Sequence, residues 1–317
     1  MKHPETQYLD ILKDIMDNGT LKDAARPGMP RTKEVFFRTM QFDLSKGYPL
    51  FTTKKMAWKT MFTELTWFLK GDTNIKYLLE NGCNIWTDDA YKYYVRKCKD
   101  SEPLSKEDWK EKVLAGEAQH QISRYIGDKQ IFDVKIPYGE CGKIYGAQWR
   151  KYGINGFDQV EHLINNIKNN PNSRYHIINA WNGDDFLGEF ADVALPACHV
   201  YYQFCVNNEK LDMMMVQRSC DMFLGVPFNI ASGAALLMII AKHTGYEPGT
   251  FTWVGNCCHI YENHFEQVKK LLTREPYYFP MLMFDTKEHV WDYTKDDFKI
   301  IDYQSHPQLK APLSVGV

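Results

Sequence analysis

The stretch "LPACHVYYQF", Leu195–Phe204, sets a cysteine and a histidine at the mouth of an apolar run. A thiolate becomes a strong nucleophile when nearby positive charge lowers its pKa. Cys198 is therefore a candidate nucleophile. His199 is not its obvious base, because neighbours on a strand point to opposite faces. "QRSCD" offers a better source of charge in Arg218, with Asp221 three residues beyond. Taken alone, Cys198 reads equally as a buried core cysteine.

Two further stretches carry polar side chains suited to recognition. "VPFNIAS" puts Asn229 at a helix start. An amide there either caps the helix or matches the O4 and N3–H edge of uracil with its adjacent donor and acceptor. "HIY" puts His259 and Tyr261 on one face of a strand. They suit a sugar hydroxyl, or are satisfied polar groups of a core.

Elements that position these residues follow from periodicity. "TQYLDILKDIMDNG" spaces Leu9, Leu12, Ile15 and Met16 as an amphipathic helix that Gly19 caps. "MAWKTMFTELTWFLKG" is a second helix, ended by Gly71. "GFDQVEHLINNIKNNPNS" is a third, with Val160, Leu163, Ile164 and Ile167 on one face. "YHIINAWN", "HVYYQFCVNN", "KLDMMMVQRS" and "TFTWVGNCCHIY" read as strands. "PFNIASGAALLMIIAKHTG" is a long apolar helix, central to the core, and "ENHFEQVKKLLTRE" another helix. The charged segment 92–135 reads as an exposed, mostly helical insertion in a single domain over 1–317. Helices and strands mix without regular β-α-β alternation, which predicts an α+β fold.

The chain has 317 residues, 44% apolar and 14% aromatic, enough for a substantial core. A net charge of −2 argues against a nucleic-acid partner, so any anion site is local. Without an unbroken apolar run of membrane-spanning length or an apolar leader, the expected location is the cytoplasm and no membrane partner is expected. The eight cysteines lack the C-x-x-C spacing of a zinc site, and the chain reads as a reduced protein without a metal.

The stretches "LPACH", "QRSCDMFLGVPFNIAS", "HIYENH", "TELTWFLKGDTNI", "YGAQWR" and "SHPQLKAP" together resemble the thymidylate synthase family over nearly the whole chain. The resemblance implies a three-layer α+β domain around a large twisted mixed sheet, two of which pack back to back in a homodimer. It implies one-carbon transfer from 5,10-methylenetetrahydrofolate to C5 of dUMP. Cys198 would add to C6. Arg218, Ser219, Arg26 and, from across the dimer, Arg174 would bind the phosphate. Asn229 would read uracil, and His259 and Tyr261 would hold the deoxyribose hydroxyl. Glu64 and Tyr145 would serve proton transfers. Asp221, Ile85, Trp86, Gly225 and Phe228 would meet the folate, and Lys54 its glutamate tail.

Departures from the family pattern bear on the product. The usual "D-R-T-G-T-G" loop is here "AARPGMPRT", stiffened by Pro27. Tyr175 replaces the second arginine of a pair. Asp89, Cys257 and Gly233 stand where an aromatic, an aspartate and a tyrosine are usual, and the end "KAPLSVGV" is slightly extended. Read as a wetter folate side, these changes favour addition of water and 5-hydroxymethyl-dUMP. Retained Trp86 favours the alternative, hydride transfer giving dTMP and dihydrofolate. A third expectation, a catalytically silent nucleotide-binding paralogue, rests on Tyr175 and the changed loop.

Overall fold

The computed structural model describes residues 2–24, 28–98, 102–126, 129–187 and 191–312, leaving out the side chains of 119–134. Its centre is a mixed five-stranded sheet in the order Arg38–Asp43, Glu247–Gly255, Lys210–Gln217, His199–Asn207, Ile177–Asn179. Only the contact between Glu247–Gly255 and Lys210–Gln217 is parallel; the other three are antiparallel. With ten helices among the described residues around mixed sheets, this is the expected α+β fold.

Alternation along the strands decides which way the sheet faces. Leu211, Met213, Met215 and Gln217 are buried, while Asp212, Met214 and Val216 between them are half-buried. Phe251 and Trp253 alternate with Thr252 and Val254 in the same manner. The buried face lies against the helix Gly225–Thr244. That helix is apolar on nearly every side, with Val226, Ile230, Ala234, Leu237 and Ala241 all buried. By length and composition it could cross a membrane. Here it is the core helix, as its position between sheet and outer helices requires.

Three local readings change. The segment 92–135 is not mostly helical. After the end of the helix Thr87–Lys97 it contains one helix, Lys106–Ala115, and then strands Ala118–Ile126 and Lys129–Pro137, paired as an antiparallel ribbon. The run 250–261 is two strands, because the backbone turns left-handed at Cys257, φ 45°. The second of them, Cys258–Tyr261, leaves the main sheet and pairs with Thr32–Val35 and Cys220–Asp221. Gly19 caps the helix Thr6–Asn18 as expected, in an extended conformation, φ −64°, and an added Cβ there would sit 2.5 Å from the Ile15 carbonyl oxygen. The stretch 262–275 opens with a tight turn over Glu262–His264, and its helix is only Phe265–Leu271.

Gly233 also has a packing role. A Cβ on it would lie 2.7 Å from Phe251 Cζ and 3.3 Å from Met215 Sδ, so the missing side chain lets helix and sheet approach. Gly233→Ala gains about 1 kcal/mol of helix propensity but overpacks the contact at a cost of about 1–3 kcal/mol. We expect a net loss near 1 kcal/mol, read as a lower urea midpoint at unchanged slope; a raised midpoint would disprove the close-approach account.

Candidate active site

Cys198 immediately precedes the strand His199–Asn207 and is brought opposite Arg218 by antiparallel pairing. The Arg218 backbone N–H donates to the Cys198 carbonyl at 2.8 Å. The guanidinium folds back over the same segment, donating through Nε to the Ala197 carbonyl (2.7 Å) and through Nη2 to that of Pro196 (3.1 Å). It lies 5.2 Å from the centre of the Trp181 ring. A fixed cation therefore stands beside the candidate nucleophile, the environment that favours a thiolate.

Tyr145 opens the short helix Tyr145–Arg150, and its hydroxyl accepts the Cys198 backbone N–H at 2.5 Å. This helix sits close because Gly146 has no side chain: a Cβ would be 2.3 Å from the Asp72 carbonyl oxygen. The Tyr145 ring stacks on His199, centroids 4.3 Å apart, and packs on Phe68 at 4.6 Å and edge-on to Trp86 at 6.1 Å. Burial, together with the nearby Cys198, Tyr202 and Glu64, drives the Tyr145 phenol well above its usual pKa.

The imidazole of His199 is buried and bonded through Nδ1 to the Tyr202 hydroxyl. Burial lowers its pKa to about 3, so it is neutral and unsuited to act as a base at neutral pH. Glu64 lies in the helix Trp58–Leu69 and accepts the Trp86 indole N–H at 2.7 Å. Burial raises its carboxyl to about 7, the Trp86 bond opposing the shift.

On the other side of Arg218, Asn229 is in the second turn of the helix Gly225–Thr244, so it is not the cap. Its Oδ1 accepts from Gln217 Nε2 at 2.9 Å. Gln217 is itself fixed: Nε2 also donates to the Ser219 carbonyl (3.0 Å), and Oε1 accepts the Trp253 indole N–H (3.0 Å). Sequence reasoning passed over Gln217, although its inward register after Met213 and Met215 was a usable signal. Asp221 Oδ1 accepts the backbone N–H groups of Phe223 and Leu224, both at 3.1 Å, just before this helix. Asp221 pairs in register with His259, whose Nδ1 lies 2.8 Å from the Cys257 carbonyl. The His259 and Tyr261 rings meet edge-on at 5.1 Å, on one face as expected. A Cβ on Gly225 would be 3.6 Å from Asp221 Cβ and 3.7 Å from Asn229 Oδ1, ordinary contacts that leave the helix start approachable.

Other expected site residues have these settings. Lys54 is buried, its ammonium on the Phe223 carbonyl and 4.2 Å from the centre of that ring, and burial lowers its pKa to about 8. It is not an extended arm at a rim. Ile85 and Arg174 are exposed, and Phe228 is half-buried against the core. Arg26 and the last residues of "KAPLSVGV" lie outside the described residues. Among the described residues no three His, Cys, Asp or Glu side chains converge as a metal site.

Comparison with known proteins decides what this arrangement is part of. The thymidylate synthase family model matches residues 6–315. The chain belongs to the thymidylate synthase family. A curated thymidylate synthase of Mycoplasma mobile is 43% identical over 311 residues, covering 98% of this chain and 99% of the relative. As a family member the chain is a one-carbon transferase of nucleotide biosynthesis, and the family's substrates are dUMP and 5,10-methylenetetrahydrofolate.

The raised Glu64 carboxyl gives a test. Between about 4.3, the value of an unfolded glutamate, and about 7, the native state holds a proton that the unfolded chain has lost. Stability therefore falls as pH rises through that window. Glu64→Gln removes this loss: the variant's Tm should exceed the wild type's by more at about pH 8 than at about pH 5. A gap that does not change with pH would contradict it.

Proposed function

We propose that this chain makes dTMP and dihydrofolate from dUMP and 5,10-methylenetetrahydrofolate. The observation that carries this reading is the aromatic wall beside the nucleophile. Trp86 is only 6% exposed, packs on Trp67, Phe68 and Tyr145, and is pinned by its bond to Glu64. Once the one-carbon unit is on C5, the product depends on whether hydride or water arrives, and a wall that excludes water favours hydride. The synthase name of the Mycoplasma mobile relative points the same way. The hydroxymethyl expectation loses support at Gly233, which belongs to the helix–sheet contact.

In this reading the Cys198 thiolate adds to C6 of the uracil ring and makes C5 nucleophilic. Arg218 supplies the positive charge that keeps the sulfur ionised and, with Ser219 and Arg26, binds phosphate. The folate supplies the one-carbon unit and the hydride. Glu64, with a carboxyl poised near neutrality, holds or releases protons on the O4 and C5 side, and Tyr145 assists loss of the C5 proton. Asn229 reads the uracil edge with its amide plane set by Gln217. His259 and Tyr261 take the deoxyribose hydroxyl. Ile85, Trp86, Gly225, Phe228 and the free oxygen of Asp221 form the folate side, with Lys54 bracing Phe223 beneath it.

The half-exposed face of the sheet, with Tyr201, Gln203, Met214, Val216 and Val254, supports back-to-back pairing with a second copy. Exposed Arg174 then belongs to the partner's phosphate site.

Mass analysis of the nucleotide product tests the reaction: a methyl product accompanied by a stoichiometric rise at the dihydrofolate absorbance band is expected. A hydroxymethyl product without that rise would overturn the reading, and tritium retained at C5 of labelled dUMP would indicate a silent protein. Arg174→Ala should raise the KM for dUMP roughly tenfold or more, the loss of one charge-assisted bond of about 1.5–3 kcal/mol, with kcat less affected. An unchanged KM would remove Arg174 from the phosphate site.

A further inference from the structure

Four of the eight cysteines converge behind the site: Cys198, Cys220, Cys257 and Cys258. Cys220 and Cys258 are direct partners in two parallel strands, and both side chains are buried. Their thiols are close enough to act on each other electrostatically, and the Cys220 Sγ–H donates to the Gln217 carbonyl at 3.6 Å. Paired strand neighbours stand about 4.7–4.9 Å apart, inside the Cα window of about 4.4–6.8 Å that a disulfide tolerates. Side chains of directly paired residues leave the same face of a sheet, so both sulfurs point one way.

From this geometry we propose that Cys220 and Cys258 are a reversible disulfide site, closed by a peroxide, that reports oxidation to the catalytic site. A peroxide is close to water in size, which suits a buried target. One thiol is oxidised to the sulfenic acid as the peroxide O–O bond breaks and a water leaves. The second sulfur then displaces the sulfenic hydroxyl, its proton leaving with that oxygen as another water, and the S–S bond forms. A dithiol reductant reverses the change by thiol–disulfide exchange.

The site is wired to the chemistry through the chain. Asp221 follows Cys220, His259 follows Cys258, and these successors are also register partners. The Cys257 carbonyl accepts the Cys220 backbone N–H at 3.3 Å and meets His259 Nδ1 at 2.8 Å. Closing the sulfurs draws the two strands together at the point where Asp221 and His259 leave them. Misplacement of a site by about an ångström costs up to the order of 10²-fold in rate. Burial and the neighbouring thiols push the Cys220 pKa well up, so the pair rests reduced and closes faster as pH rises.

The test treats the intact protein with hydrogen peroxide, alkylates free thiols, and maps unreduced peptides by mass spectrometry. It is run on wild type and on Cys198→Ser, so that oxidation of the nucleophile does not mask the result. The expected result is one linked Cys220–Cys258 peptide pair in both proteins, lost on dithiothreitol treatment and absent from Cys258→Ala and Cys220→Ala. Turnover of the untreated alanine variants should match wild type, while the reductant-recoverable part of peroxide inactivation, about tenfold or more in wild type, falls in them to the share that reversible oxidation of Cys198 itself accounts for. Cys220 and Cys258 recovered singly alkylated, or linked to other cysteines, would overturn the proposal. Because the map reads bonds and not the nucleotide product, its outcome is independent of which product the protein makes.

Discussion

The antiparallel pairing of Cys198 with Arg218 is the interaction on which the rest depends. The two residues are 20 positions apart in sequence, and the hairpin of His199–Asn207 with Lys210–Gln217 brings them together. The pairing sets a guanidinium on the carbonyls that lead into the nucleophile, with no freedom to swing away. It also sets everything one residue further on. Gln217 points inward, meets Trp253 from the next strand, and turns its amide to Asn229 on the central helix. A slip of one residue in this register would send Gln217 outward and Arg218 into the core. The apolar alternation of Leu211, Met213 and Met215 is what forbids that slip.

Desolvation is the second organising effect. Phe68, Tyr145, Trp86, His199 and Tyr202 form one continuous aromatic body, and the groups caught in it shift in the direction that removes charge. His199 loses its proton, Tyr145 and Tyr202 keep theirs, and Glu64 is held near the balance point. One physical cause thus silences the imidazole nearest the thiol in sequence and prepares a carboxyl that is remote in sequence. The dryness that shifts these groups is the same dryness that would keep water from a carbon electrophile.

What could be read from the sequence was what depends on short-range pattern. Strand pattern found His199–Asn207 and Lys210–Gln217, and helical spacing found Gly225–Thr244 and Gln159–Asn169. The opposite-face rule for strand neighbours already removed His199 as the base, and the buried imidazole agrees. The misreadings came where tertiary contact overrides local pattern. Asn229 is a helix-interior residue because the helix begins at Gly225, a boundary that the Asp221 carboxylate sets by capturing the N–H groups of Phe223 and Leu224. The strand expected over 250–261 breaks after Gly255, and the backbone turns left-handed at Cys257; the Gly255–Asn256 step was a usable turn signal. The charged segment became half ribbon because charge density reports exposure and not backbone conformation. Gly233 was grouped with the folate wall on sequence position alone, while its reason is the Phe251 ring.

A chain with eight thiols must make one of them reactive and keep the rest from competing. Burial does most of the sorting. It pushes Cys83 up to about 12 and holds Cys141 and Cys220 well up, so these rest protonated at neutral pH. Glu64 raises Cys83 further, and Glu140, Asp89 and Asp72 add to the shift of Cys141, since a carboxylate disfavours a thiolate. Cys257, partly exposed, has its pKa raised by burial and by Glu34. Cys198 has the opposite surroundings: partial exposure, a tyrosine hydroxyl on its N–H and an arginine wrapped over the preceding carbonyls. Selectivity among chemically identical side chains then follows from where each stands relative to water and to one cation. Sequence setting and family resemblance already pointed to Cys198; the folded arrangement of charge and burial supplies the physical reason.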